Sequence, residues 1–120
     1  MIDGGMNEHK LELCARFHHA VEVIGRRWSG AIVMLLLQCK AARFNELLAA
    51  IPGISDRLLT ERLRELEAEG IVRRTVEPGP PVRVTYGLSE AGKELEQALT
   101  ALGRWAERWV QPERVGAKSA

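Results

Sequence analysis

The chain has 120 residues, 46% hydrophobic and 28% charged, with a net charge of +1. This is an ordinary soluble balance and enough length for one domain with a true core. The near-zero charge gives no global basic signal for nucleic acid, so any such function must rest on where single arginines sit.

Two cysteines, Cys14 and Cys39, are too few and too far apart for a disulfide scaffold. The polar opening MIDGGMNEHK is no signal peptide, and the longest apolar run, Ala31 to Leu37, is too short to span a bilayer. A reduced, cytoplasmic setting without membrane contact is therefore expected.

Residues 1–8, with Gly4 and Gly5, are expected to fray. From about Glu8 to Ile24 the apolar residues Leu13, Phe17, Val21 and Ile24 recur at helical spacing, and Gly25 offers a C-terminal stop. A short helix from Trp28 to Gln38 is apolar nearly all round, which predicts burial on most sides. In the next segment Phe44, Leu47, Leu48 and Ile51 make another helical stripe, ended by Pro52-Gly53. Ser55 is placed to cap a further helix with Leu59, Leu63 and Leu66 inward, and Gly70 closes it.

The period then changes to two. IVRRTVE and VRVTYGL flank Pro78-Gly79-Pro80-Pro81, which predicts a β-hairpin with a stiff tip. Ser89 and Glu90 start a last helix, expected over residues 89–110, with Ala91, Leu95, Ala98, Leu102, Trp105 and Trp109 along one side. Residues 112–120 are expected to fray. No repeat or linker interrupts residues 1–120, so one domain is expected. It is mainly α with a small β-hairpin: a winged helix-turn-helix whose long C-terminal helix serves dimerisation.

In that layout the second helix of the pair lies in the DNA major groove. With the leucines inward, Arg57, Thr60, Glu61 and Arg64 face outward. Arginine can donate twice to guanine, threonine can meet a thymine methyl or a phosphate, and glutamate can accept from cytosine. The same pattern also describes a solvated face of mixed charge, and Asp56 and Glu61 repel phosphate unless turned to bases or cations. The hairpin adds Arg73, Arg74 and Arg83 against the single acid Glu77, suited to a phosphate backbone or a minor groove. Arg26, Arg27, Lys40 and Arg43 add cations near the starts of two earlier helices. A winged-helix module that binds another protein through this surface is the alternative of a different class.

Four segments stand in order: Gly25-Arg26-Arg27-Trp28, Arg43-Phe44-Asn45-Glu46-Leu47, the run from Ile54 to Leu63, and Tyr86 to Gly92. Together they resemble the HxlR family of bacterial winged-helix transcription regulators, over about Cys14 to Trp105. The resemblance implies a homodimer on an inverted-repeat DNA operator. It implies base or backbone contacts for Ser55, Arg57, Thr60, Glu61 and Arg64, phosphate contacts for Arg27 and Arg43, and a wing contact for Arg83. Trp28 and Phe44 are expected in the core. The last-helix positions Leu95, Ala98, Leu102, Trp105 and Trp109, with Ala91, are expected at the dimer seam, together with part of the partner's first helix.

Cys14 and His18 are four apart, with His9 and His19 near, but no third metal ligand is evident. No phosphate loop or nucleophile elbow is present either. No enzyme activity, metal or cofactor is expected. Some members of the family use an N-terminal cysteine to sense oxidants or electrophiles. Here Cys14-Ala15 stands where Cys-Pro is usual, with one more residue before Trp28. Cys14 is expected as a half-buried cysteine whose candidate role is redox sensing, and an oxidant or small-molecule effector is a further partner. Cys39 is expected to be inert.

Overall fold

A computed structural model describes residues 10–116. Its elements are α1 (Ala15–Gly25), α2 (Ser29–Leu37), β1 (Ala42–Arg43), α3 (Phe44–Ala50), α4 (Asp56–Ala68), β2 (Val72–Glu77), β3 (Arg83–Leu88), α5 (Glu90–Lys93), α6 (Glu96–Trp109) and α7 (Pro112–Gly116). The three strands form one antiparallel sheet in the order β1-β3-β2. This is a winged helix-turn-helix, with α3 and α4 as the helix pair and β2–β3 as the wing.

The core forms where the apolar stripes converge. Ile32, Val33 and Leu36 of α2 meet Leu47 of α3, Leu59, Leu63 and Leu66 of α4, and Val72 and Leu88 of the sheet, all buried. Burial of each such side chain contributes about 1.5–3 kcal/mol. Trp28 and Phe44 are partly buried against this core, so both act in packing. No helix among the described residues is long and apolar enough to cross a membrane.

Several boundaries differ from the sequence expectation. Lys10 to Cys14 is not helical, and α1 begins at Ala15 rather than near Glu8. Leu11 and Leu13 are exposed, so among the described residues an earlier turn has no core to pack on. The expected fraying of residues 1–8 lies outside the described residues. The face of α1 is not core either: Leu13, Phe17 and Val21 are 68%, 64% and 49% exposed, and only Val23 of that helix is buried.

The single helix expected over residues 89–110 is two. Leu95 N–H bonds to the Gly92 carbonyl, a tighter turn that separates α5 from α6. The turn before it is pressed against its neighbour: a Cβ on Gly92 would lie 2.4 Å from the Ile71 carbonyl oxygen. Residues 112–116, expected to fray, form α7 (Pro112–Gly116) with proline at the first helical position, and the same expectation for 117–120 lies outside the described residues. The third strand, β1, is only two residues long and pairs Ala42 with Tyr86 and Arg43 with Thr85.

Candidate nucleic-acid interface

The helix α4 is built from its caps inward. Ser55 Oγ accepts the Leu58 N–H at 3.1 Å, and Gly70 takes a φ of 79° just past the other end. Its inner edge is fastened to the N-terminal part of the chain. Arg62 Nε donates to the Arg27 carbonyl at 2.8 Å, and its guanidinium also meets Glu65 at 3.2 Å. Arg26 pairs with the same Glu65 at 3.3 Å, and His19 of α1 meets Glu69 at 2.9 Å. Sequence reasoning missed Arg62. The available signal was its place about 60° round the helix from Leu59, on the flank of the leucine stripe.

Among the described residues, the outer face of α4 bonds only to itself. Arg57 is 89% exposed and pairs with Glu61 one turn on at 3.5 Å. The Thr60 hydroxyl donates to the Asp56 carbonyl at 2.9 Å, which leaves its methyl group to meet an apolar base edge. Arg64 is exposed. Ser55 uses its oxygen for the cap, and its hydroxyl hydrogen can still donate. The Arg57–Glu61 pair answers the objection from negative charge, because each acid on this face has a cation or a helix start beside it: Asp56 lies in the first turn of α4.

The other expected contacts surround this face unevenly. Arg43 is exposed at the head of α3, where its N–H donates to Glu46 Oε1 at 2.7 Å. Arg27 is exposed, with its guanidinium 5.0 Å above the Trp28 ring. Arg83 opens β3 opposite Glu77, and strand alternation turns it to the same side as Arg73. Arg74 takes the other side with Tyr86, its direct cross-strand partner, and these two meet α4 across a cleft. Arg74 was expected only as one of three wing cations, and Tyr86 was not expected as a contact. The alternation was legible, but not which side of the hairpin the helix would cover.

Along α6 the apolar residues divide into two adjoining stripes. Leu99 is buried on α2, and Leu95 is partly buried against the same core. Leu95 thus packs within its own chain, and Leu99 lay outside the expected stripe. Ala91 is exposed at the edge of the shallow recess between α1 and α5, which Leu95 also lines. Ala98 is exposed, and Leu102, Trp105 and Trp109 are 58%, 56% and 60% exposed.

Cys14 is the N-cap residue of α1 and exposed, not half-buried, and Cys39 is exposed as well. His18 pairs with Glu22 at 3.5 Å instead of meeting Cys14. Among the described residues no group of three or more His, Cys, Asp or Glu side chains is placed to hold a metal ion.

Comparison with known proteins agrees with this geometry. A family model for the HxlR-like helix-turn-helix matches residues 23–114. The HTH-type transcriptional regulator YvaP of Bacillus subtilis is 46% identical over 101 residues, covering 84% of this chain and 93% of its own. The HTH-type transcriptional regulator YodB of the same organism is 38% identical over 100 residues, covering 83% and 88%. The structure of YodB in its reduced form superposes with a TM-score of 0.75 at 38% identity, covering 84% of this chain and 98% of that one. YodB has also been solved in diamide-treated and quinone-bound forms. The redox regulator HypR in its oxidized form gives a TM-score of 0.74 at 36% identity, covering 81% and 99%.

Proposed function

The chain belongs to the HxlR-like helix-turn-helix family of DNA-binding transcriptional regulators, which are not enzymes, and on that premise we propose that it grips a two-fold operator as a homodimer. The helix α4 enters the major groove, with Arg57 and Glu61 toward base edges, Ser55 and Thr60 toward the backbone or a thymine methyl, and Arg64 toward the backbone on the wing side. Arg27 and Arg43 meet phosphates beside it, and Arg83 carries the wing contact. The observation that supports this best is the division of α4: its inner edge is bonded to the rest of the chain, while among the described residues its outer face carries polar groups bonded only among themselves. Such a regulator works where the chromosome is, so we infer a cytoplasmic location.

Genomic fragments captured by the protein supply the operator for the test. Arg57→Ala or Arg64→Ala is expected to lose about 1–3 kcal/mol on that site, with folding intact, because both residues are exposed. Wild-type affinity in both variants would show that this face does not read the site.

We also propose that the regulator answers an oxidant or electrophile through Cys14. Its exposure at the first turn of α1, next to the outward apolar face of that helix, supports this, as do the redox forms of YodB and HypR. A thiolate there can add to an electrophilic quinone carbon or exchange into a disulfide. Diamide or benzoquinone is expected to change the operator affinity of wild type and of Cys39→Ser, and to leave Cys14→Ser unmoved. A Cys14→Ser protein that responds like wild type removes Cys14 from the mechanism.

A further inference from the structure

When one part of a protein enters the major groove and another reaches the neighbouring minor groove, the phosphates between the grooves must pass over the gap between those parts. Here the gap lies between α4 and the β2–β3 wing. It is a cleft of about 330 Å³ lined by Thr60, Leu63, Arg64, Glu67, Arg74 and Tyr86. We propose that this cleft is a binding site for a single backbone phosphate, clamped between Arg64 on the helix and Arg74 on the sheet, with Tyr86 as a third donor. The inference rests on the proposed docking of α4 and adds to it the element that sets how deep the helix sits.

Strand register places the sheet side of the clamp. Val72 pairs with Leu88 and both are buried, so the side of the sheet they share faces the core. Two residues on, Arg74 pairs with Tyr86 on that same side, and the two side chains stand next to each other facing α4. Leu63, buried, forms the apolar floor. A low-dielectric floor strengthens a charge–charge contact made above it.

The charges match a phosphodiester. Two guanidinium groups and the Glu67 carboxylate leave the cleft one net positive charge. Among the described residues no ion pair joins Glu67 to Arg64 or Arg74, so neither arginine is already matched. The Thr60 hydroxyl hydrogen is committed to the Asp56 carbonyl. The phenol of Tyr86, only partly buried, is the neutral donor of the cleft. A guanidinium presents parallel N–H donors to two phosphate oxygens, and such contacts position a protein on the duplex without reading its sequence.

Arg73 is a matched control. It carries the same charge on the neighbouring residue, but it pairs with Gly87 and faces the other side of the sheet. Binding to the operator and to a random duplex is measured across a salt series for wild type, Arg73→Ala, Arg74→Ala, Arg74→Lys, Tyr86→Phe and Arg57→Ala. Thermal midpoints verify folding.

Arg74→Ala is expected to lose about tenfold on both duplexes, the lower end for a hydrogen bond to a charged group, and to lower the salt slope by about one. Arg74→Lys keeps the slope. Tyr86→Phe loses about two- to tenfold with no change of slope. Arg73→Ala changes the slope less than Arg74→Ala does. An unchanged slope in Arg74→Ala, or an equal loss of slope in Arg73→Ala, overturns the clamp. Arg57→Ala tells the two failures apart. If it loses operator binding while Arg74→Ala does not, the docking of α4 stands and only the phosphate site is wrong.

Discussion

Arg83 sits at the open end of the wing, across from Glu77 and on the side of the sheet away from α4. On the proposed docking, a cation there reaches DNA over the wing tip, not through the cleft. Arg83→Ala is expected to weaken operator and random duplex alike and to lower the salt slope by about one, read by fluorescence anisotropy over a salt series. A loss confined to operators with A·T-rich flanks would instead assign it to a narrow minor groove. The residues of α4 and those of the wing were not equally legible. Leu59, Leu63 and Leu66 fix which way Arg57 and Arg64 point, because one stripe orients a whole helix. A hairpin has two sides, and the alternation that separates Arg73 and Arg83 from Arg74 does not say which side a distant helix will cover.

The middle of α4 is held by one side chain more than by any other. Arg62 is 16% exposed and bridges the Arg27 carbonyl and Glu65, so it joins the turn after α1 to α4. Arg62→Ala leaves that carbonyl without its donor and Glu65 with Arg26 alone, and is expected to cost about 1–3 kcal/mol in urea unfolding. Arg57→Ala, on the outer face of the same helix, should stay within about 0.5 kcal/mol of wild type. Equal stability of the two variants would contradict this asymmetry. Elements with a cap and a breaker were legible to within a residue or two: α4 runs from the Ser55 cap to just before Gly70. Others carried no local mark. Two-residue β1 has no period to detect, and the break between α5 and α6 falls beside Gly92, which is pressed against Ile71, a residue distant in the sequence and outside any local turn motif.

The described chain measures 63 × 34 × 22 Å, with a radius of gyration of 17.2 Å. A compact domain of this length would have about 13 Å. The excess suits a chain that completes its packing against a copy of itself. Phe17 and Val21 on α1, and Leu102, Trp105 and Trp109 on α6, are apolar groups that its own core leaves uncovered. Leu102→Glu together with Trp105→Glu is expected to give folded monomers in sedimentation, since neither side chain belongs to the core. Folded dimers of that variant would rule out this seam. A two-fold dimer sets its two α4 helices about 34 Å apart, or a multiple of that, along the DNA. The helix-turn-helix was visible in the sequence because its contacts are local. The outward turn of the α1 face was not, since an apolar stripe looks the same whether its cover is the same chain or another.

Because Arg62, Glu65 and Glu69 hold α4 from behind while Arg57, Glu61 and Arg64 take no part in that hold, the helix behaves like a type block locked in its frame. The printed characters can be exchanged without loosening the block. On the proposed docking, substitutions at Arg57 and Glu61, made together because the two side chains pair, are expected to recode operator preference with half-site spacing and thermal stability inherited unchanged. Regulators with non-overlapping targets can be drawn from one scaffold in this way, and drift at these positions gives a duplicated gene a short route to a new operator.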